Sequence, residues 1–189
     1  MFPFDGERTW DYQSDDVTAT YKLNVLSVGE FETIEGKKVY TLSTTKECVA
    51  NDPDCVGDLV YRMSWSSDPS NGVYIWGYDL GDGQVELRPP VQVAYDTMER
   101  DESVKTTTGG VVWTSTMRGI ESCPIKIIAE WDECGVFEVA ADGGDSFPLA
   151  GTYWATAGNG IAAFQHEGDE GTWQLSDIDC QGECNGDWW

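Results

Sequence analysis

The chain has 189 residues, with 11 basic and 34 acidic side chains giving a net charge of -23, and its nine Trp, eight Tyr and six Phe make it 12% aromatic. So negative a surface repels a nucleic-acid backbone and an anionic membrane, which excludes both as partners. The aromatic share excludes a disordered acidic tail, and the length suits one domain, residues 1–189, burying about 70% of its extended surface.

Read in order, Met1-Phe-Pro-Phe-Asp-Gly-Glu7 has neither the basic start nor the apolar centre of a signal peptide. Trp10–Tyr12 is expected as a short first strand. In Val17–Val28, Val17, Ala19, Tyr21, Leu23 and Val25 share one parity, and Thr18, Thr20, Lys22 and Asn24 take the other. That alternation predicts a half-buried strand. Glu35-Gly36-Lys37-Lys38 turns the chain into a second strand at Val39–Thr45, and a further one is expected at Leu59–Trp65. After a turn at Asp68–Gly72, Val73–Leu80 meets Gln84–Leu87 through Gly81-Asp82-Gly83, a strong hairpin signal. Arg88-Pro89-Pro90 is expected to end that pairing, because proline cannot donate to a ladder.

Residues 96–109 form the most polar segment, read as a loop or an edge strand. Val111–Met117, Pro124–Trp131 and Gly135–Ala140 resume the sheet. The densest apolar hairpin follows, from Leu149 to Phe164 about Gly158-Asn159-Gly160, with Trp173, Leu175 and Ile178 as a strand behind it. No amphipathic helix of ten residues emerges. The prediction is an all-β, single antiparallel domain, as a curved sheet, half-barrel or sandwich. Residues 179–189 form an acidic tail whose Trp188 and Trp189 would be sticky if exposed.

Six cysteines stand in pairs close along the chain, with a single histidine to complement them as metal ligands. Proximity predicts Cys48–Cys55, Cys123–Cys134 and Cys180–Cys184 disulfides among fifteen possible connectivities. Disulfides place the chain in an oxidising compartment, the periplasm, cell surface or medium. On that reading the chain is mature, and the loss of an upstream lipid-anchored cysteine stays open.

Chemistry is sparse. His166 is the only histidine, sits at a strand end and has no nucleophile elbow elsewhere, so it reads as an ordinary hairpin-end residue. Walker, dinucleotide and H-E-x-x-H patterns are absent. A carboxylate pair for glycan hydrolysis is defined by spatial separation, so the sequence is silent on it; the expectation from the other motifs is no enzyme and no cofactor. Calcium is the one metal with candidate loops: Asp52, Asp54 and Asp58 about Cys55, and Asp142 with Asp145. In Val73–Leu80, Tyr74, Trp76 and Tyr78 share one parity and are the expected wall of an apolar pocket, with Trp154 as a further wall residue.

One resemblance rests on Phe2-Pro3-Phe4 with Gly6 and Trp10-x-Tyr12, and on Gly72-Val73-Tyr74 with Pro89-Pro90-Val91. Its later motifs are Gly135-Val136-Phe137, Tyr153-Trp154 with Gly158-x-Gly160-Ile161-Ala162, and Trp173-x-Leu175. In these the chain resembles exported bacterial lipoprotein-type domains, mostly of unknown function. The resemblance implies a curved antiparallel sheet, similar in some members to periplasmic lipoprotein carriers, and implies no catalytic residues. The three cysteine pairs and the Trp188-Trp189 tail depart from it, and no lipid-attachment cysteine precedes Phe2.

These readings converge on a non-catalytic, extracytoplasmic binding protein of the cell envelope, holding an apolar small molecule or a protein partner. Two other readings stay open. One is a structural or adhesive subunit self-assembling through edge strands or Trp188 and Trp189. The other is a secreted glycan-binding domain, with or without calcium.

Overall fold

The computed structural model describes residues 6–16, 21–48, 59–68, 72–95, 97–125, 133–143, 148–156 and 160–180. Strands β1 (Glu7–Ser14), β2 (Tyr21–Ile34), β3 (Lys37–Cys48), β4 (Leu59–Asp68), β5 (Gly72–Asp79) and β6 (Gln84–Ala94) form the first half. The second half comprises β7 (Ser103–Thr108), β8 (Val111–Ser122), β9 (Glu133–Asp142), β10 (Gly151–Thr156), β11 (Gly160–His166) and β12 (Trp173–Cys180). No helix occurs among the described residues. All twelve strands join one antiparallel sheet in the order β6-β5-β4-β3-β2-β1-β12-β11-β10-β9-β8-β7.

Every chain neighbour therefore pairs with the next, except β6 and β7, and β1 pairs with β12 to join the two halves. The two edges meet through side chains. Gln92 N–H donates to Thr106 Oγ1 at 3.3 Å, and Ser115 Oγ donates to the Val93 carbonyl at 2.5 Å. The result is a barrel-like sheet closed at eleven ladders and held at the twelfth position by hydroxyls. A sheet that curls until its edges meet leaves few backbone groups unsatisfied.

Alternation decides what fills it. Trp10 and Tyr12 on β1, Leu23 on β2, Tyr40 and Leu42 on β3, and Tyr61, Met63 and Trp65 on β4 turn inward. Tyr153, Phe164, Trp173 and Leu175 meet them from β10, β11 and β12. The other parity carries charge and hydroxyls, as at Lys22 and Asn24 on β2, Arg62 on β4 and Thr114, Thr116 and Arg118 on β8.

Several boundaries follow the sequence. Leu23 is buried, and Tyr21 and Val25 pack against the core from the same side, as their parity requires. The polar segment does hold an edge strand, β7, joined to β8 by Gly109 and Gly110 at φ 60° and 81°. Both angles lie in the left-handed region that a two-residue hairpin turn needs. The prolines do not end the sheet. Pairing runs from Gly77↔Glu86 to Ile75↔Val91, and Leu87-Arg88-Pro89-Pro90 bulges between them. A bulged residue has no ladder bond to give up, so proline costs nothing there. Of the expected strand Pro124–Trp131, only Pro124 and Ile125 are described, and they form none. Val17, Ala19, Trp188 and Trp189 lie outside the described residues.

Cys123 and Cys134 are joined, with sulfurs 2.03 Å apart, across the β8–β9 connection. Cys55 and Cys184 lie outside the described residues, so their two pairings do as well. Closing a loop of separation 11 restricts the unfolded chain. Replacing both cysteines by alanine should therefore lower unfolding free energy by roughly 2–3 kcal/mol in the chain-entropy account. Urea denaturation of the double variant measures this; an unchanged midpoint would refute it.

Candidate functional site

Inside the barrel, beside the β1–β12 junction, the core leaves an apolar cavity of about 40 Å³. Trp10, Tyr12, Val25 and Leu42 wall it from β1, β2 and β3, with Tyr61, Met63 and Trp65 from β4. Tyr153 on β10 and Gly160, Ile161 and Phe164 on β11 complete it. The barrel wall is thinnest at this place. Strands β11 and β12 pair at only two positions, Ala163↔Gln174 and Phe164↔Trp173, and then diverge. Below that point Tyr12 Oη donates to the Ile161 carbonyl at 2.8 Å, so a side chain from β1 replaces a missing ladder bond. Tyr12 also packs edge-on against Phe164, 5.0 Å between ring centres.

The polar side-chain groups of the described wall residues are the Tyr12, Thr44, Tyr61 and Tyr153 hydroxyls and the Trp10 and Trp65 indole N–H groups. Tyr153 donates to the Leu149 carbonyl at 2.7 Å. Tyr61 Oη lies 3.0 Å from His166 Nε2, and the Thr44 hydroxyl bonds Tyr61 in turn. Burial drives all three phenols upward from their ordinary range, so they stay protonated.

Behind Tyr61, His166 is 4% exposed and boxed by the Tyr61, Tyr153 and Phe164 rings. Burial lowers its pKa to about 4, overriding the Asp169 carboxylate and the Ala150 carbonyl, which favour the charged ring. Asp169 reaches back over the β11–β12 turn to accept from His166 N–H and Trp173 Nε1, each at 3.2 Å. With the neutral ring's proton placed on Nδ1, Nε2 accepts from Tyr61. This network orients Tyr61.

The residues picked from sequence fall elsewhere. Ile75 is fully buried in the core cluster, and Trp76, next along the strand, takes the opposite face. There its indole donates to Ser66 Oγ at 2.7 Å under the Arg88 guanidinium, 5.6 Å from the ring centre. Tyr74 and Gln92 pair on that outer side, whereas Tyr78 packs against the core. The shared face expected for Tyr74, Trp76 and Tyr78 is thus broken. The bulges opposite Ser64/Trp65 and Ile75/Gly77 shift the parity midway along β5. None of the three lines the cavity. Trp154 is half-buried beside Val136 and Ala163, and the cavity takes its neighbour Tyr153.

Asp142 stands exposed at the end of β9. Asp52, Asp54, Asp58 and Asp145 lie outside the described residues. Among the described residues no group of three His, Cys, Asp or Glu gathers as a metal site, and no helix is long and apolar enough to cross a membrane. No protein-family model, no curated protein and no solved structure matches this chain.

Proposed function

We propose that the chain is a non-catalytic binding protein acting outside the cytoplasm, and that its barrel interior holds the end of an apolar ligand. The observation that carries this reading is the aromatic-walled cavity beside the splayed β11–β12 pair. Native interiors close-pack, and a void lined by Trp10, Tyr61, Met63 and Trp65 forfeits dispersion contacts that a hydrocarbon would restore. Its volume is far below the roughly 300–1,000 Å³ of a pocket that swallows a whole drug-sized molecule. It suits one chain end or ring edge, with the flexible Met63 adjusting around it. The Cys123–Cys134 bond supports the oxidising location.

Toluene and octan-1-ol are direct probes. Each should change Trp fluorescence saturably, because Trp10 and Trp65 face the cavity. At a hundred times the dissociation constant, each should raise stability by about 2.7 kcal/mol. Ile161→Trp, at a half-buried wall position, should weaken both at least tenfold. No saturable signal and no rise in melting temperature with either probe would end this reading.

A further inference from the structure

Resting on that reading, we infer that the ligand enters the cavity sideways, through the gap where β11 and β12 part, and that the Tyr12 hydroxyl latches this entrance. Both strands are described along their whole length. Their last pair towards the gap is Ala163 with Gln174, and antiparallel register would next bring Ala162 to Leu175 and Ile161 to Ser176. Neither pair forms. At this level each strand bulges against its other neighbour. Ala162 is the extra residue of β11 against β10, where Trp154 pairs with Ala163 and Ala155 with Ile161. Ser176 is the extra residue of β12 against β1, where Asp11 pairs with Asp177 and Tyr12 with Leu175. Ser176 Oγ also donates to the Asp11 carbonyl at 3.0 Å, which ties that bulge to β1. A bulge bends its strand and interrupts pairing, so two bulges at one level part the seam between them.

The parted seam adjoins the cavity. Ile161, on one lip, borders it, and so does Tyr12. Tyr12 reaches from β1 past β12 to the Ile161 carbonyl, so one side-chain bond of 2.8 Å stands where ladder pairs would. A single bond of this kind opens locally without unzipping a ladder. A cavity of about 40 Å³ takes only a chain end, so the rest of a longer ligand has to cross the wall.

The test follows octan-1-ol binding to the full chain by stopped-flow Trp fluorescence. Entry and exit share one path, so releasing a latch speeds both. Tyr12→Phe keeps the ring and removes the bond. Association and dissociation should each quicken about five- to tenfold, the factor for one hydrogen bond, with the dissociation constant moving less than about threefold. Ser115→Ala removes the corresponding hydroxyl-to-carbonyl bond at the other seam, to Val93, and should leave both rates as they are. In the wild type, saturating octan-1-ol should slow amide hydrogen exchange most at residues 160–163 and 175–178, a readout that needs no variant to fold. Unchanged rates in Tyr12→Phe, or equal quickening in both variants, would overturn the entrance and leave the binding reading standing. So would slowed exchange confined to β3 and β4. A change in dissociation alone would make the hydroxyl a ligand contact and overturn the latch. If neither octan-1-ol nor toluene gives a saturable signal with the wild type, the binding reading falls and the entrance with it.

Discussion

Trp65→Ala should lower the unfolding free energy by about 3–5 kcal/mol, the usual range for deleting a buried Trp. Trp65 is 1% exposed and sits between Tyr40 on β3 and Ile75 on β5. It also borders the cavity, so truncation merges the lost indole volume with the cavity. The surrounding strands are tied by ladders on both sides and cannot collapse far, which is the condition for a large cavity cost. Trp154→Ala supplies the contrast: half-buried on the outer face, it should cost less than half as much. The enlarged cavity should take toluene more tightly than the wild type does, recovering part of the loss as ligand is added. Urea titrations with and without toluene read all three quantities. A loss below about 1 kcal/mol, or one equal to that of Trp154→Ala, would mean that Trp65 is not a core residue.

Much of the barrel was legible because it is local. Tyr21, Leu23 and Val25 alternate on one strand, and Gly36, Gly81 and Gly83 announce turns in which all three take the positive φ that a glycine adopts readily. What closes the barrel is not local. The β1–β12 ladder joins Trp10 to Ile178, and the hydroxyl seam joins Gln92 to Thr106 through an edge that looks merely polar in sequence. Neither leaves a periodic trace, so sandwich, half-barrel and barrel shared one pattern. Pro89 and Pro90 misled for a related reason. Proline forbids a ladder bond, but whether one is required depends on the register of β5 opposite.

The site was harder to read than the fold. A parity argument holds only until the first bulge, and β5 carries one on each side, which parts Tyr78 from Trp76. On β10 the cavity is lined by Tyr153 and not by Trp154, one residue on, which on a strand means the opposite face. The usable signal lay in pairs two or four apart, Trp10 with Tyr12 and Tyr61 with Trp65, which line the cavity together. His166 gave no such signal. Its burial comes from Tyr61, 105 positions away, and from Asp169 folding over a turn whose sequence reads as ordinary hairpin chemistry.

His166 should give the protein an acid limb that can be assigned to one residue. In the fold its pKa is about 4, below the ordinary 6.5, so the unfolded chain takes up the proton first as pH falls. The stability contributed by the neutral, buried ring is complete above about pH 6.5. It declines between 6.5 and 4 and is gone below 4. A gap of that size corresponds to about 3 kcal/mol. His166→Gln keeps a polar group for Tyr61 but cannot titrate, so its stability should lack this part of the fall. Asp79, held down by the Gly81 amide, and Glu102, held down by the Tyr95 hydroxyl, act in the same acid range but are common to both proteins. They cancel in the difference. Urea unfolding of the two proteins at half-unit steps from pH 7.5 to 4 should give curves that converge by about 3 kcal/mol towards the acid end. Parallel curves would mean that the ring takes up its proton as readily in the fold as in the unfolded chain, and that Tyr61 is held below pH 6.5 by something other than a neutral Nε2.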